Sequence, residues 1–294
     1  MTDKNIKFAF FGTSDFSVKV LDVLYQNSLI PKLIVTVPDK PKGRKKELSP
    51  PPVKIWALNY NINFTQPVSL KKLETNSPLK SKQYGLFIVA AYGKIIPPDI
   101  INAPKHGIIN VHPSLLPKYR GPSPIQYFIL SGEKETGVTI MLMDEEVDHG
   151  PIIQSEKLKT QSEKLNFKQL EDKLAELGGT MLVEIIPNWI DGKIKPLEQG
   201  HSKATFTKKI TKEDGLVDLE KDNLEIVYRK FLAFYPWPGI YFFTEKANKK
   251  IRVIITDMEV SESGELIIKR VKPECKKEMS YDDFLRGYKL TVNK

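Results

Sequence analysis

Gly85-Leu-Phe-Ile-Val-Ala-Ala-Tyr92 carries no charge and no polar side chain before its closing tyrosine. Eight residues suit a strand and fall far short of a membrane span, and a run that is apolar at every position must be covered on both faces. Such strands belong to parallel sheets with helices on either side. The neighbouring segments agree. Ile6 to Phe11 (IKFAFF) is closed by Gly12, and from Ser17 onward Val18, Leu21, Leu24 and Tyr25 recur at helical spacing. Lys32 to Val37 (KLIVTV), Gly107 to His112 (GIINVH), Val138 to Met143 (VTIMLM) and Ile152 to Leu158 read as further strands. Helices are predicted at Val53 to Tyr60, around Pro124 to Leu130, and over Phe167 to Trp189, where Gly178-Gly179 could interrupt the helix. Residues 1–192 are therefore expected to form an α/β domain with a doubly wound, mainly parallel sheet.

After Gly192 the character changes. Lys193 to Lys212 mixes Lys, Thr, Pro and Gly without periodicity, and residues 193–206 are expected to be a linker. Leu224 to Phe234 has a helical pattern, followed by short β-like runs at Ile240 to Phe243, Ile251 to Ile255 and Leu266 to Ile268. Residues 207–294 thus read as a small β-barrel-like domain.

Composition narrows the class. Of 294 residues, 40% are hydrophobic and 28% charged, which is globular rather than disordered. One cysteine, Cys275, cannot form an internal disulfide, and four histidines without CxxC or HExxH argue against structural zinc. The longest apolar stretch is broken by Lys94 and by Pro97-Pro98, and Asp15 arrives before a signal peptide could develop, so the cytoplasm is expected and no membrane partner.

The net charge of +9 is uneven. Residues 1–200 hold 26 basic and 21 acidic side chains, and residues 201–294 hold 19 and 15. Asp39 to Lys54 alone has six basic against two acidic residues, including Lys40, Lys42, Arg44, Lys45 and Lys46. Its four prolines and one glycine oppose helix and ladder pairing alike, which predicts an exposed cationic loop. Taken alone, a charge run of this kind is a solvated surface.

The turn after the first strand, Gly12-Thr13-Ser14-Asp15-Phe16, lacks the second glycine of a dinucleotide fingerprint and places an acid where a pyrophosphate would sit. A nicotinamide dehydrogenase is disfavoured. In a doubly wound fold the ligand lies beyond the carboxyl ends of the strands, and there Asn110 and His112 stand two apart, on one side of the sheet. Asp148 follows the next strand. Together these three could bind a carbonyl oxygen, move a proton and orient the proton carrier; separately each could be a cap, a turn or a strand-end residue.

The wording around them decides between those readings. Asn110-Val-His-Pro-Ser-Leu-Leu-Pro117 and Asp148-His-Gly150 resemble the core signature of the folate-dependent formyltransferases. The chain is further similar, within that superfamily, to the branch acting on methionine esterified to initiator tRNA. That similarity rests on Phe11-Gly-Thr-Ser-Asp-Phe16, Pro38-Asp-Lys-Pro-Lys-Gly-Arg-Lys-Lys46, Gln66-Pro-Val-Ser69, Ala91-Tyr-Gly93, Tyr119-Arg-Gly-Pro-Ser-Pro-Ile-Gln126, Glu135-Thr-Gly-Val-Thr-Ile140 and Ala233-Phe-Tyr-Pro-Trp-Pro238.

The resemblance implies a Rossmann-like catalytic domain, an OB-like second domain that binds tRNA, and transfer of a formyl group from 10-formyltetrahydrofolate to the methionyl α-amine. Asn110 would stabilise the oxyanion, His112 would shuttle the proton, and Asp148 would orient His112, with no metal required. Ser114, Leu115, Leu116 and Pro117, with Ala91 and Tyr92, would line the folate pocket. Lys40, Lys42, Arg44, Lys45 and Lys46, with Lys208 and Lys209, would meet the tRNA backbone. A monomer is the default.

Two positions depart from the pattern. Pro113 stands where this branch more often has Gly, and His149 where it usually has Thr or Ala. His-Pro-Ser-Leu-Leu-Pro is wording typical of the glycinamide ribonucleotide enzymes, which keeps that acceptor, a sugar-nucleotide acceptor, and a non-catalytic RNA binder as alternatives. The chain also ends at Lys294, sooner after Met279 to Phe284 than the resemblance leads one to expect.

Overall fold

The computed structural model describes residues 6–43, 46–74, 77–159, 165–246, 249–261 and 265–288. Its elements run β1 (Phe8–Gly12), α1 (Asp15–Gln26), β2 (Leu33–Val35), β3 (Lys40–Lys42), β4 (Glu47–Ser49), α2 (Pro52–Asn59), β5 (Phe64–Thr65), β6 (Leu86–Ala90), α3 (Pro98–Ile101), β7 (Ile108–His112), α4 (Pro124–Ser131), β8 (Gly137–Leu142), β9 (Ile152–Lys157) and α5 (Phe167–Ile190). There follow α6 (Leu224–Ala233), β10 (Ile240–Lys246), β11 (Lys249–Val260), β12 (Leu266–Pro273), β13 (Met279–Ser280) and α7 (Tyr281–Gly287). By internal packing the chain divides into two compact units. One comprises Met1–Pro124, Glu135–Thr160 and Glu171–Thr207, and the other Ile125–Lys134, Gln161–Leu170 and Lys208–Lys294.

A seven-stranded sheet in the order β5-β2-β1-β6-β7-β8-β9 forms the first unit's frame. The pairs β5–β2, β2–β1, β1–β6 and β6–β7 are parallel. All five residues of β1 and of β6 are buried, as their unbroken apolar sequences require. Their alternate side chains fill opposite faces. Ala9, Phe11, Phe87 and Val89 join Val35, Val37, Tyr92 and Ile100 in one cluster, in which the rings of Phe11 and Phe87 lie 5.2 Å apart. The strand order reverses direction between β1 and β6, and the crevice at such a switch point is where ligands bind in open α/β sheets. There the β1–α1 turn is tied to the end of β6. Ser17 Oγ donates to Ala90 O at 2.6 Å, and Thr13 Oγ1 donates to Tyr92 O at 2.8 Å.

The far edge differs in direction. β8 is antiparallel to both β7 and β9, with His112 opposite Thr139 and Ile109 opposite Leu142. The carboxyl end of β8 therefore lies beside the amino end of β7, and the 143–151 loop starts from there. Buried strands look alike in either direction, so the sequence pattern carries no sign of this reversal.

The glycine pair in α5 does not break the helix, which runs unbroken from Phe167 to Ile190. A Cβ at Gly178 would stand 2.5 Å from Val111 Cγ1, and one at Gly179 would stand 2.7 Å from Val23 Cβ. The pair is there for close approach: on one side α5 lies against β7 and on the other against α1.

Within the stretch 39–54, expected as an exposed loop, Lys40–Lys42 and Glu47–Ser49 instead pair as an antiparallel hairpin, Lys40 with Ser49, Pro41 with Leu48 and Lys42 with Glu47. A ribbon of two strands leaves one side of each strand unpaired, so a proline without an N–H fits it. Gly43 and Lys46 take positive φ values of 75° and 53° in its turn, and Lys46 N donates to Gly43 O.

In the second unit β10, β11, β12 and β13 form a four-stranded antiparallel sheet in sequence order. β11 spans twelve residues and β12 eight, longer than their apolar patterns suggested because their exposed positions are mostly charged. Side-chain oxygens cap the amino ends of α6 and α7: Asn223 accepts from Glu225 N at α6, and Ser280 from Asp283 N at α7.

Candidate active site

β7 places Asn110 and His112 on one side of the sheet, and the 143–151 loop brings Asp148 to both. Asn110 Nδ2 donates to Asp148 Oδ1 at 3.3 Å, and Asp148 Oδ2 lies 3.6 Å from His112 Nδ1. The other ring nitrogen has a closer partner. His112 Nε2 is 3.0 Å from the carbonyl oxygen of Tyr119. A carbonyl only accepts, so Nε2 carries a proton, and in the neutral ring Nδ1 holds the free lone pair facing Asp148. Asp148 was expected to orient His112; the contact that fixes the ring's tautomer is the main chain of Tyr119.

Asp148 is itself fixed. Its Oδ2 accepts from Gly121 N at 2.8 Å, and its backbone has a positive φ of 48°. Gly121 has φ 109°, and a Cβ there would stand 2.8 Å from Thr207 O, so a side chain is excluded where its N–H must reach the carboxylate. His112 is 4% exposed. The half-buried Asp148 carboxylate thus faces a ring withdrawn from solvent, and on that side fixed charges act more strongly than in water.

The expected folate residues divide. Ser114 is fully buried and its Oγ donates to Lys118 O at 2.7 Å; Leu116 is buried and its N–H donates to Thr139 Oγ1 at 3.1 Å. These two shape the loop from inside. Leu115 and Pro117 are half-buried, and Ala91 is exposed at the end of β6 with φ 47°. Tyr92 is buried beside Phe11, its hydroxyl without a hydrogen-bond partner among the described residues, and burial pushes that phenol up to about 12. It stays neutral at physiological pH.

Of the expected phosphate contacts, Lys40, Lys42 and Lys46 are exposed on the hairpin, and Lys208 and Lys209 are exposed in the second unit. Arg44 and Lys45 lie outside the described residues. The hairpin's root is anchored by Asp39, which accepts from Lys54 Nζ at 2.7 Å and from Gln66 Nε2 at 2.7 Å. Hydrogen bonds from Gln66 and then Lys54 hold the Asp39 carboxyl below its ordinary value.

Sequence reasoning missed Arg120 and Gln199. Arg120 appeared only as part of a motif, and Gln199 fell in the expected linker. In the structure residues 193–206 are bound to the first unit: Leu197 exchanges two backbone hydrogen bonds with Ile152, and Thr205 O accepts from Arg120 N. Only the Tyr119-Arg-Gly wording could have pointed there.

Known proteins resemble both parts of the chain. Residues 4–186 match the formyl transferase family and residues 209–265 match the formyl transferase C-terminal domain. A methionyl-tRNA formyltransferase of Bacillus velezensis is 39% identical, the alignment covering 96% of this chain and 94% of that protein. That of Bacillus subtilis is 38% identical with the same coverage. Among solved structures, an N-formyltransferase from Helicobacter canadensis in complex with folinic acid and dTDP-3-aminofucose shares the fold, with a TM-score of 0.63, 18% identity, and coverage of 91% of this chain and 94% of that one. Over nearly its whole length, then, the chain belongs to the methionyl-tRNA formyltransferase family.

Proposed function

We propose that this formyltransferase moves the formyl group of 10-formyltetrahydrofolate to the α-amine of methionyl initiator tRNA, yielding formylmethionyl-tRNA for translation initiation in the cytoplasm. The observation that carries the reading is the Asn110–Asp148–His112 constellation, in a chain whose relatives bear that activity in their names. The Asn110 amide has two N–H groups and spends one on Asp148, so the second is free to donate to the formyl oxygen as it gains negative charge. His112 takes the amine's proton at Nδ1, since Nε2 is committed to Tyr119 O, and returns a proton to the folate nitrogen as the C–N bond breaks. Asp148 stabilises the imidazolium formed between these two transfers.

The folate supplies the activated formyl carbon. Ala91, Leu115 and Pro117, the three expected residues that keep open surface, with the main chain of 114–117, would hold it; Ser114 and Leu116 act behind them and Tyr92 beneath. The folinic acid in the Helicobacter canadensis structure supports a folate on this fold. Lys40, Lys42, Arg44, Lys45 and Lys46 attract the acceptor arm, and Lys208 and Lys209 in the 207–294 domain extend that attraction, while residues 1–192 carry the chemistry.

Purified protein is incubated with 10-formyltetrahydrofolate and, separately, charged initiator tRNA, glycinamide ribonucleotide or an amino-sugar nucleotide. Formyl transfer to the charged tRNA is the expected result. Transfer only to one of the small acceptors, or to none, would sink the proposal.

A further inference from the structure

Gln199, from the segment expected to be a linker, touches both loops of the site. It is 4% exposed, and its Nε2 donates to Asp148 O at 3.0 Å and to Gly150 O at 2.7 Å. Its Oε1 accepts from Arg120 Nε at 3.1 Å and Nη2 at 2.7 Å. Carbonyls only accept and a guanidinium only donates, so the amide has a single workable orientation. Arg120 is 3% exposed, and the residues on either side of it hold the reacting groups. Tyr119 O pins His112 Nε2, and Gly121 N pins Asp148 Oδ2.

We propose that Gln199 is a positioning residue for formyl transfer, setting the Asp148 turn against the Tyr119–Gly121 loop. This rests on His112 and Asp148 being the proton-transfer pair. The lever is stiff because its mounting is stiff. Leu197 is fixed to Ile152 by hydrogen bonds of 2.7 and 2.8 Å, and Arg120 is gripped through Thr205 O at 2.8 Å and Thr207 N at 2.7 Å. Arg120 Nη2 also donates to His201 Nδ1 at 2.9 Å, and the His201 ring stacks 4.2 Å from His149, the middle residue of the Asp148 turn. Arg120 and Gln199 thus brace that turn by two routes. Removing the Gln199 donors frees the turn's carbonyls and shifts Asp148 relative to His112. Displacements of the order of 1 Å at a reacting centre cost about 10²-fold in rate.

Gln199→Glu separates this role from a simple one. It keeps the size of the side chain and offers Arg120 a carboxylate, but turns acceptors toward the two carbonyls. If Gln199 merely partners Arg120, glutamate serves as well. On the positioning reading, the full-length variant melts near the wild-type temperature, with kcat for charged tRNA down roughly 10- to 100-fold and KM for tRNA within about twofold. Imidazole ¹⁵N NMR, resolvable because the chain has four histidines, should show the His112 Nε2–H signal shifted or lost to exchange. Turnover within about twofold of wild type, or a rise in KM alone, overturns the proposal. Should Gln199→Glu fail to fold, Arg120→Lys keeps the charge without the fork and is expected to lower kcat by at least about tenfold, wild-type turnover again being the overturning result. If the wild-type chain formylates no charged tRNA, the functional reading fails, yet the NMR comparison still decides the positioning claim: an unchanged His112 signal overturns it.

Discussion

The pocket around His112 and the hairpin at residues 40–49 belong to the same unit and are built on opposite terms. In the pocket His112 is buried and Asn110 and Asp148 are half-buried, and these three with Gly121 N are bonded to one another or to main chain. On the hairpin Lys40, Lys42 and Lys46 stand in solvent, Leu48 is 72% exposed, and the root at Asp39 supplies the anchor. Each suits its proposed task. A dipole that must stabilise a developing charge has to be aimed beforehand in a place water does not reach. Attraction for a phosphate backbone acts across a Debye length of ~8 Å and needs no fixed geometry.

The comparison breaks if the two regions cannot be uncoupled. The largest effect should come from His112→Ala, with kcat lowered by about 10²- to 10⁴-fold and tRNA affinity by filter binding essentially unchanged. Parallel losses in both quantities would mean that the pocket also binds RNA. Asn110→Ala should cost about 10²- to 10³-fold in kcat, as for removal of one oxyanion donor. Replacing Lys40, Lys42 and Lys46 by Gln should do the reverse, raising KM for tRNA with kcat nearly constant and flattening the slope of log K against log salt by about 2 to 3. An unaltered salt slope would remove the hairpin from recognition.

The hairpin's root has a pH signature. The Asp39 carboxyl is lowered from 3.8 in the folded chain, so its contribution to stability is present above that value and disappears as pH falls through the lowered one. The melting-temperature gap between wild type and Asp39→Asn should be visible at pH 6 and close in strong acid; a gap independent of pH would contradict the anchor. The smallest effect concerns Tyr92. Because its buried hydroxyl meets no partner among the described residues, Tyr92→Phe should leave stability unchanged or raise it by up to ~1 kcal/mol by denaturant titration, and a marked loss would reveal a bond formed by that hydroxyl.

What the sequence disclosed follows the same division. Strands such as 86–90 were legible because burial on both faces writes itself as an unbroken apolar run, and Asn110, His112 and Asp148 were legible because specific wording surrounds them. The direction of β8 was not, since a buried strand reads the same in both senses. The hairpin was hidden by Pro41 and its charges, which usually signal irregular chain. Gln199 was hidden for a different reason: its segment is ordered by hydrogen bonds to distant loops, which leave no periodicity behind. Gly178-Gly179 was noticed and misread, because a glycine pair looks the same whether a helix ends there or must pass close to a neighbour.

The grip on His112 by a carbonyl rather than a side chain has an unexpected corollary for mutational scanning. Any residue placed at 119 brings its own carbonyl oxygen, and the left-handed φ of 61° there would suit glycine or asparagine without strain. A scan would score the position as permissive although the imidazole's protonation pattern depends on it. Such a contact is inherited with the path of the chain. A backbone ester at the 119–120 linkage weakens the carbonyl as an acceptor while sparing every side chain, but it also removes the Arg120 N–H bond to Thr205 O. Set against an ester at 205–206, which weakens that Thr205 acceptor and leaves the Tyr119 carbonyl intact, it would expose the grip on the imidazole.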